Sequence, residues 1–235
     1  MIALGQSVLA TDNKELEAKR IGTFMYVTND LLEDTTEDVG LDVFDLIFTV
    51  LTEQIGKKVD LTLWQGDTGG DHTYMDGVTV DSNCGSYELA AGEVNFSDIV
   101  GRDLRFMIAQ VPPEQRAGCA FFMCSDAAVY VDTLEDDNGN PIYRAPAGDK
   151  PATLYGYPYH ETTYFPDNDG EDAKSLLAYG SLSKNCLFGV RNEIRIESTK
   201  VLKLLENMTT VKIEAKFAMM LPHPSRWINL LSNAS

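Results

Sequence analysis

The sequence has no apolar run approaching the roughly 20 residues that a bilayer-spanning helix needs. Its opening residues, Met1-Ile2-Ala3-Leu4-Gly5-Gln6, carry neither the basic stretch nor the apolar core of a secretory signal. Cations are scarce: 19 Lys and Arg stand against 36 Asp and Glu, a formal net charge of −17. A protein that grips nucleic acid tightly needs clustered Lys and Arg to displace counterions from phosphates, and no such cluster exists here. The three histidines, His72, His160 and His223, lie far apart and lack ligand-like neighbours. The four cysteines, Cys84, Cys119, Cys124 and Cys186, form no C-x-x-C pair and sit among apolar or small residues. They read as buried, reduced thiols. The expectation is a soluble chain made in a reducing cytoplasm, with no membrane span, no metal site and no cofactor.

Catalytic signatures occur only without their companions. Asp67-Thr68-Gly69 spells the aspartic-protease triplet, but Gln65-Gly66 precede it where an apolar strand belongs, and Gly70 follows it. Ser181-Leu182-Ser183-Lys184 spells S-x-x-K, without the S-D-N and K-T-G elements that complete that site. Gly66, Gly69 and Gly70 are not followed by G-K-[ST], so they make no P-loop. The acidic run Asp167-Asn168-Asp169-Gly170-Glu171-Asp172 places its glycine too early for a calcium loop and lacks the closing Glu. This run and the acid-rich stretch from Asp30 to Asp45 read as solvated surface. No nucleophile–base pair stands out, and the chain is expected not to be an enzyme.

What the sequence does have is periodicity. Ile21 to Val27 is strand-like, with Phe24 and Tyr26 on one side and Met25 and Val27 on the other. From about Glu37 to Gln65 there is no proline. Over that stretch Leu41, Phe44, Phe48, Leu51, Ile55 and Val59 recur in steps of three and four and define one helix face. At 1.5 Å per residue this helix is roughly 40 Å long and is expected to be the longest in the structure. A second set, Val43, Leu46, Ile47 and Val50, widens the apolar surface. The helix should therefore pack on a sheet on one side and on something else on the other. Ser97 or Asp98 is expected to cap a second helix whose core candidates are Ile99, Leu104, Phe106, Met107 and Ile108, with Pro112-Pro113 as its stop. Ala120 to Met123 reads as a buried strand, and a short helix follows from Ser125. Short strands carry Tyr143, Leu154, Tyr157 and Tyr159. Glu193 to Glu197 and Val211 to Phe217 alternate as strands, the latter with Val211, Ile213, Ala215 and Phe217 inward. The fold class is α+β.

The order of these elements, with several local passages, resembles the major capsid proteins of tailed bacteriophages, the Hong Kong 97-type fold. Leu63-Trp64-Gln65-Gly66-Asp67-Thr68-Gly69-Gly70 is similar to the family's helix-ending L-x-x-G-D-G-x-G. Met123-Cys124-Ser125-Asp126, followed by Leu134 to Tyr143, resembles its helix and D-x-x-G turn passage. Leu154-Tyr155-Gly156-Tyr157-Pro158-Tyr159 and Tyr179-Gly180-Ser181 resemble its later strand signatures. The likeness runs from about residue 5 to residue 231.

The resemblance implies a long spine helix on a β-sheet, the peripheral or P domain, over residues 21–67 and 186–221. It implies a mixed α/β axial or A domain over residues 68–185 and 222–235, with Trp227 to Leu231 returning as a last strand. Ala147, Gly148, Asp149 and Lys150 are the candidate tip at the oligomer axis. The implied function is structural: copies of the chain join as pentamers and hexamers into an icosahedral shell around phage or prophage double-stranded DNA. Further implied partners are a scaffolding segment or protein and a portal, with DNA contact weak and independent of sequence. The implied location is the virion, with assembly in the host cytoplasm. The alternative is the shell protein of a cargo-enclosing bacterial nanocompartment of the same fold. Family members begin with an arm and a two-stranded extended loop, and here Met1 falls near the tip of that loop. Residues 1–20 are thus expected to be only its returning strand, as in a truncated or renumbered piece or a decayed gene.

Some family members weld their shells by a Lys–Asn isopeptide bond with a nearby Glu taking up the proton. Asn207 and Glu214 fall on the Asn and Glu positions, but the Lys position falls on Gly5. The nearest lysine, Lys14, is nine residues on, roughly 30 Å at strand rise. Lacking the amine, the site is expected to be inactive.

Overall fold

The first layer of the architecture follows from the alternation in three strands. In the computed structural model, which describes Leu16 and residues 18–30, 43–69, 75–136, 138–146 and 151–235, β1 (Lys19–Thr28) pairs antiparallel with β9 (Met208–Met220). The other edge of β9 pairs antiparallel with β8 (Leu187–Thr199), giving the order β1-β9-β8. Register sets Ile213 opposite Thr23 and Ile196, and Val211 opposite Met25 and Ser198. Because side chains alternate, Ile21, Met25, Val27, Val211, Ile213 and Ala215 share one face.

That face is covered by α1 (Val43–Gln65), the longest helix among the described residues. Ile47, Leu51 and Ile55, spaced by four, bury against Ile21, Val27, Val211 and Ile213, with Val59 packed alongside. This ridge differs from the expected stripe. Ile47 packs inward, whereas Phe48, one residue and about 100° round the helix, stays 39% exposed. Leu41 and the side chain of Phe44 lie outside the described residues, as do most of residues 1–20, the helix start before Val43 and the candidate tip Ala147 to Lys150.

The last turns of α1 leave the three-stranded sheet and enter a second core. Leu63 and Trp64 belong to a larger cluster with Phe96, Leu104, Phe121, Phe122, Phe165, Tyr179 and Trp227. The helix's C-terminal carbonyls are taken up by the loop that follows. Val78 N–H donates to Leu63 O (2.9 Å), Thr79 N–H and Oγ1 to Trp64 O (3.1 and 2.7 Å), and Gly77 N–H to Gly66 O (2.8 Å). Gly66 has to be glycine, since a Cβ there would stand 2.5 Å from Thr62 O.

The second core is built on a seven-stranded sheet, in the order β2-β10-β7-β3-β6-β5-β4. Its strands are β2 (Gly85–Glu88), β3 (Ala120–Met123), β4 (Tyr143–Arg144), β5 (Thr153–Leu154), β6 (Tyr157–Glu161), β7 (Ser175–Gly180) and β10 (Ile228–Leu231). The chain's last strand, β10, runs parallel to β2 and antiparallel to β7. Residues 85–180 and 228–231 thus share a sheet, and residues 19–28 and 187–220 share the other. β3 and β7 are buried at every position, so they read as continuous apolar runs rather than alternating ones. The helices α2 (Gly101–Gln110), α3 (Ser125–Val131) and α4 (Leu182–Asn185) complete this unit.

The second helix starts differently from the sequence reading. Asp98 accepts from Val94 and Asn95 N–H (3.1 and 2.9 Å) and closes a 3-10 turn over Phe96–Asp98. Asp103, inside α2, instead accepts from Val100 N–H (3.0 Å). Phe106 is 45% exposed and stacks on Tyr87 (centroids 5.4 Å apart) rather than entering the core. Leu104, Met107 and Ile108 fill the inward arc, and a residue two positions from Leu104 points away from it.

Candidate assembly surfaces

An assembling chain must leave apolar surface unburied in the single copy, so the exposed side chains are the place to look. The outer face of the three-stranded sheet, opposite α1, carries Phe24 (59% exposed) and Tyr26. Their rings meet edge to face at 5.4 Å. With Leu202, Thr210, Lys212 and Glu197 they line an open groove of about 570 Å³. Three ion pairs lie along this face: Lys212–Glu214 at 2.7 Å, Arg20–Glu214 at 3.5 Å and Arg195–Glu197 at 2.9 Å. On the inner face β8 runs beyond the cover of α1. Asp45, Phe48, Leu51, Ile196, Val211 and Ile213 line a second groove there, of about 320 Å³. The alternation of Ile194 and Ile196 is real, yet both stay exposed because, among the described residues, β8 is an edge strand with no helix over it. Between β8 and β9 the connection exposes Val201, Leu202 and Leu205.

The cross-link positions sit apart within one copy. Asn207 ends the β8–β9 connection at φ 51°, a left-handed conformation that Asn tolerates better than most residues. Its amide is engaged on both sides: Asn29 Nδ2 donates to Asn207 Oδ1 (2.7 Å), and Asn207 Nδ2 donates to Asp30 Oδ1 (3.0 Å). Its backbone carbonyl accepts from Asn29 N–H (2.9 Å). Glu214 lies mid-strand on the outer face, roughly 20 Å further along β9 at strand rise. The Lys212 ammonium, with Arg20 beside it, holds the Glu214 carboxyl below its ordinary range. A carboxylate so paired is a poor proton acceptor. Gly5 and Lys14 lie outside the described residues.

The two catalytic look-alikes are not assembled either. Asp67 uses its carboxylate to accept Gly69 N–H (2.7 Å) in an exposed turn. Ser181 is buried, with its Oγ 3.2 Å from that of Ser183. Lys184, the lysine of the S-x-x-K spelling, donates to Ala117 O at 2.6 Å. Burial pushes the thiols of Cys84 (to about 12), Cys119, Cys124 and Cys186 upward, away from nucleophilic thiolates. Among the described residues no group of three His, Cys, Asp or Glu side chains could hold a metal ion, and no helix is long and apolar enough to cross a membrane.

A long helix laid on a three-stranded sheet, running into a mixed α/β unit that the last strand rejoins, is the architecture of the Hong Kong 97-type fold. The sequence model of the Phage capsid family matches residues 5–228, and the chain belongs to that family. The fold is also that of solved capsids. The capsid of an empty GTA particle superposes with a TM-score of 0.75 at 16% identity, covering 99% of this chain and 81% of that one. A chain of Gordonia phage Cozz gives 0.65 at 13% identity over 100% and 80%. One of Mycobacterium phage Bobi gives 0.60 at 16% identity over 94% and 73%. No curated protein sequence matches the chain. The protein is a structural capsid shell protein that associates with copies of itself and resides in virion particles.

Proposed function

We propose that the chain is the repeating unit of an icosahedral head that encloses phage or prophage double-stranded DNA, and that it performs no chemical turnover. The observation that carries this reading is the family match over residues 5–228 together with the capsid fold. In this reading the helix-and-sheet unit of residues 21–67 and 186–221 is the P domain, with Leu51, Ile55 and Val59 holding the spine helix to it. The seven-stranded unit is the A domain. A scaffolding segment or protein and a portal are its partners during assembly in the host cytoplasm. The excess of 36 acidic over 19 basic residues supports a DNA contact that is weak and independent of sequence. The test is the content of native particles. Nuclease-protected double-stranded DNA is expected; enclosed enzyme without DNA would favour the nanocompartment alternative instead.

The shell is held by non-covalent contact. Denaturing electrophoresis of assembled particles is expected to give a single monomer band, and Asn207→Asp should not change it. A covalent ladder that survives boiling and reductant, and is lost in that variant, would contradict this. Asp67→Asn and Ser181→Ala are each expected to shift unfolding stability by no more than about 1 kcal/mol, since each removes at most one modest hydrogen bond. Both should leave particle yield unchanged. Hydrolysis of a peptide or ester substrate by the parent, abolished in either variant, would overturn the non-enzymatic reading.

A further inference from the structure

We propose that the tip of the β8–β9 hairpin of one copy seats in the groove between α1 and β8 of a second copy. This rests on the reading of the chain as a shell protein and goes further, to a specific contact. Val201, Leu202 and Leu205 are 80%, 70% and 101% exposed, three large aliphatic side chains on one short connection. Single exposed apolar residues are ordinary on a protein surface, but a cluster of them marks a contact site. The groove offers the complementary shape: about 320 Å³, floored by Leu51, Val211 and Ile213 and walled by Phe48 and Ile196. Phe48 and Ile196 remain 39% and 52% exposed in the single copy.

Charge selects the occupant. At a net charge of −17, copies repel one another in general. A self-contact has to set the scarce cations against acid. The tip carries Lys200, which is exposed, and Lys203, which Glu206 already engages at 2.6 Å. The groove carries exposed Asp45 at its rim, in the first turn of α1. Tip against tip would bring Lys200 to Lys200; tip against groove brings Lys200 to Asp45. Ile196 lies three residues before the end of β8, roughly 10 Å from the tip, so both surfaces occupy one end of the helix-and-sheet unit. A head-to-tail contact between such neighbouring patches can close into a ring about a single axis.

The test is a pair of single-cysteine variants of the whole chain, Leu205→Cys and Ile196→Cys, carrying different tags and co-expressed. Both positions are exposed, so neither substitution threatens folding. The four native thiols are buried or half-buried, and the unsubstituted chain supplies the background. Under mild oxidation the mixed disulfide between the two variants is expected to dominate. Its yield should fall with Lys200→Glu on the tip partner and return when Asp45→Lys is added on the groove partner. Leu205→Cys homodimers as the main product would overturn the proposal in favour of tips meeting tips. Particles without any disulfide above background overturn the contact but leave the shell reading standing. The mixed disulfide without particles does the reverse, and the absence of both removes both.

Discussion

Trp227→Ala is expected to destabilise the protein by about 3–5 kcal/mol, the usual range for removing a fully buried indole. Trp227 is 0% exposed, and its ring belongs to an aromatic cluster, 6.0 Å from Trp64 and 5.7 Å from Phe122. Its Nε1–H donates to Asn185 O at 3.3 Å, so truncation also strands a buried carbonyl. Gly180 lacks a Cβ where that ring lies: one built there would stand 2.4 Å from the indole, so the backbone is drawn close against it. The ring sits just before β10 and locks that strand between β2 and β7. Denaturant unfolding followed by far-ultraviolet circular dichroism measures the effect. A loss under 1 kcal/mol would mean that the cluster does not organise this core.

Ile213→Asp is expected to act as strongly, by about 3–5 kcal/mol, because an unpaired carboxylate would be buried under a helix. Ile213 is 0% exposed at the centre of the three-stranded sheet, facing Leu51 and Ile55. The consequence should be regional. The apolar cluster between α1 and that sheet is separate from the larger cluster that holds Trp64 and Trp227. Both tryptophans of the chain report on the larger one. Hydrogen exchange should therefore quicken in β1 and β9 while tryptophan fluorescence stays near native, a breakdown of two-state behaviour. Simultaneous loss of both signals would show one cooperative unit instead.

These two cores were unequally legible in the sequence. The inner face of β9 could be read directly, since Val211, Ile213 and Ala215 alternate and all three are buried. The extent of α1 could also be read up to Gln65, where Gly66 ends it. Its rotation could not. Apolar residues cover too wide an arc, and only the position of the sheet selects Ile47 over Phe48. The Phe106 assignment failed for a related reason: hydrophobicity says that a side chain is apolar, while helix phase says where it points. Asp98 misled as a helix cap because the same carboxylate closes a 3-10 turn just as well. Among the surfaces, the Phe24 and Tyr26 face followed from strand alternation. The groove beside β8 did not, because edge position in a sheet is set by pairing partners far along the chain. The isolation of Asn207 from Glu214 depends on one unbroken strand, which shared proximity in sequence conceals.

The most direct measurement of the central claim is electron microscopy of particles isolated from cells that express the intact protein. Closed, angular shells of uniform diameter, with density at their vertices and faces built from repeats of this chain, are the predicted result. A population that stays monomeric, or forms only filaments or irregular aggregates at every concentration and with its assembly partners present, would contradict it.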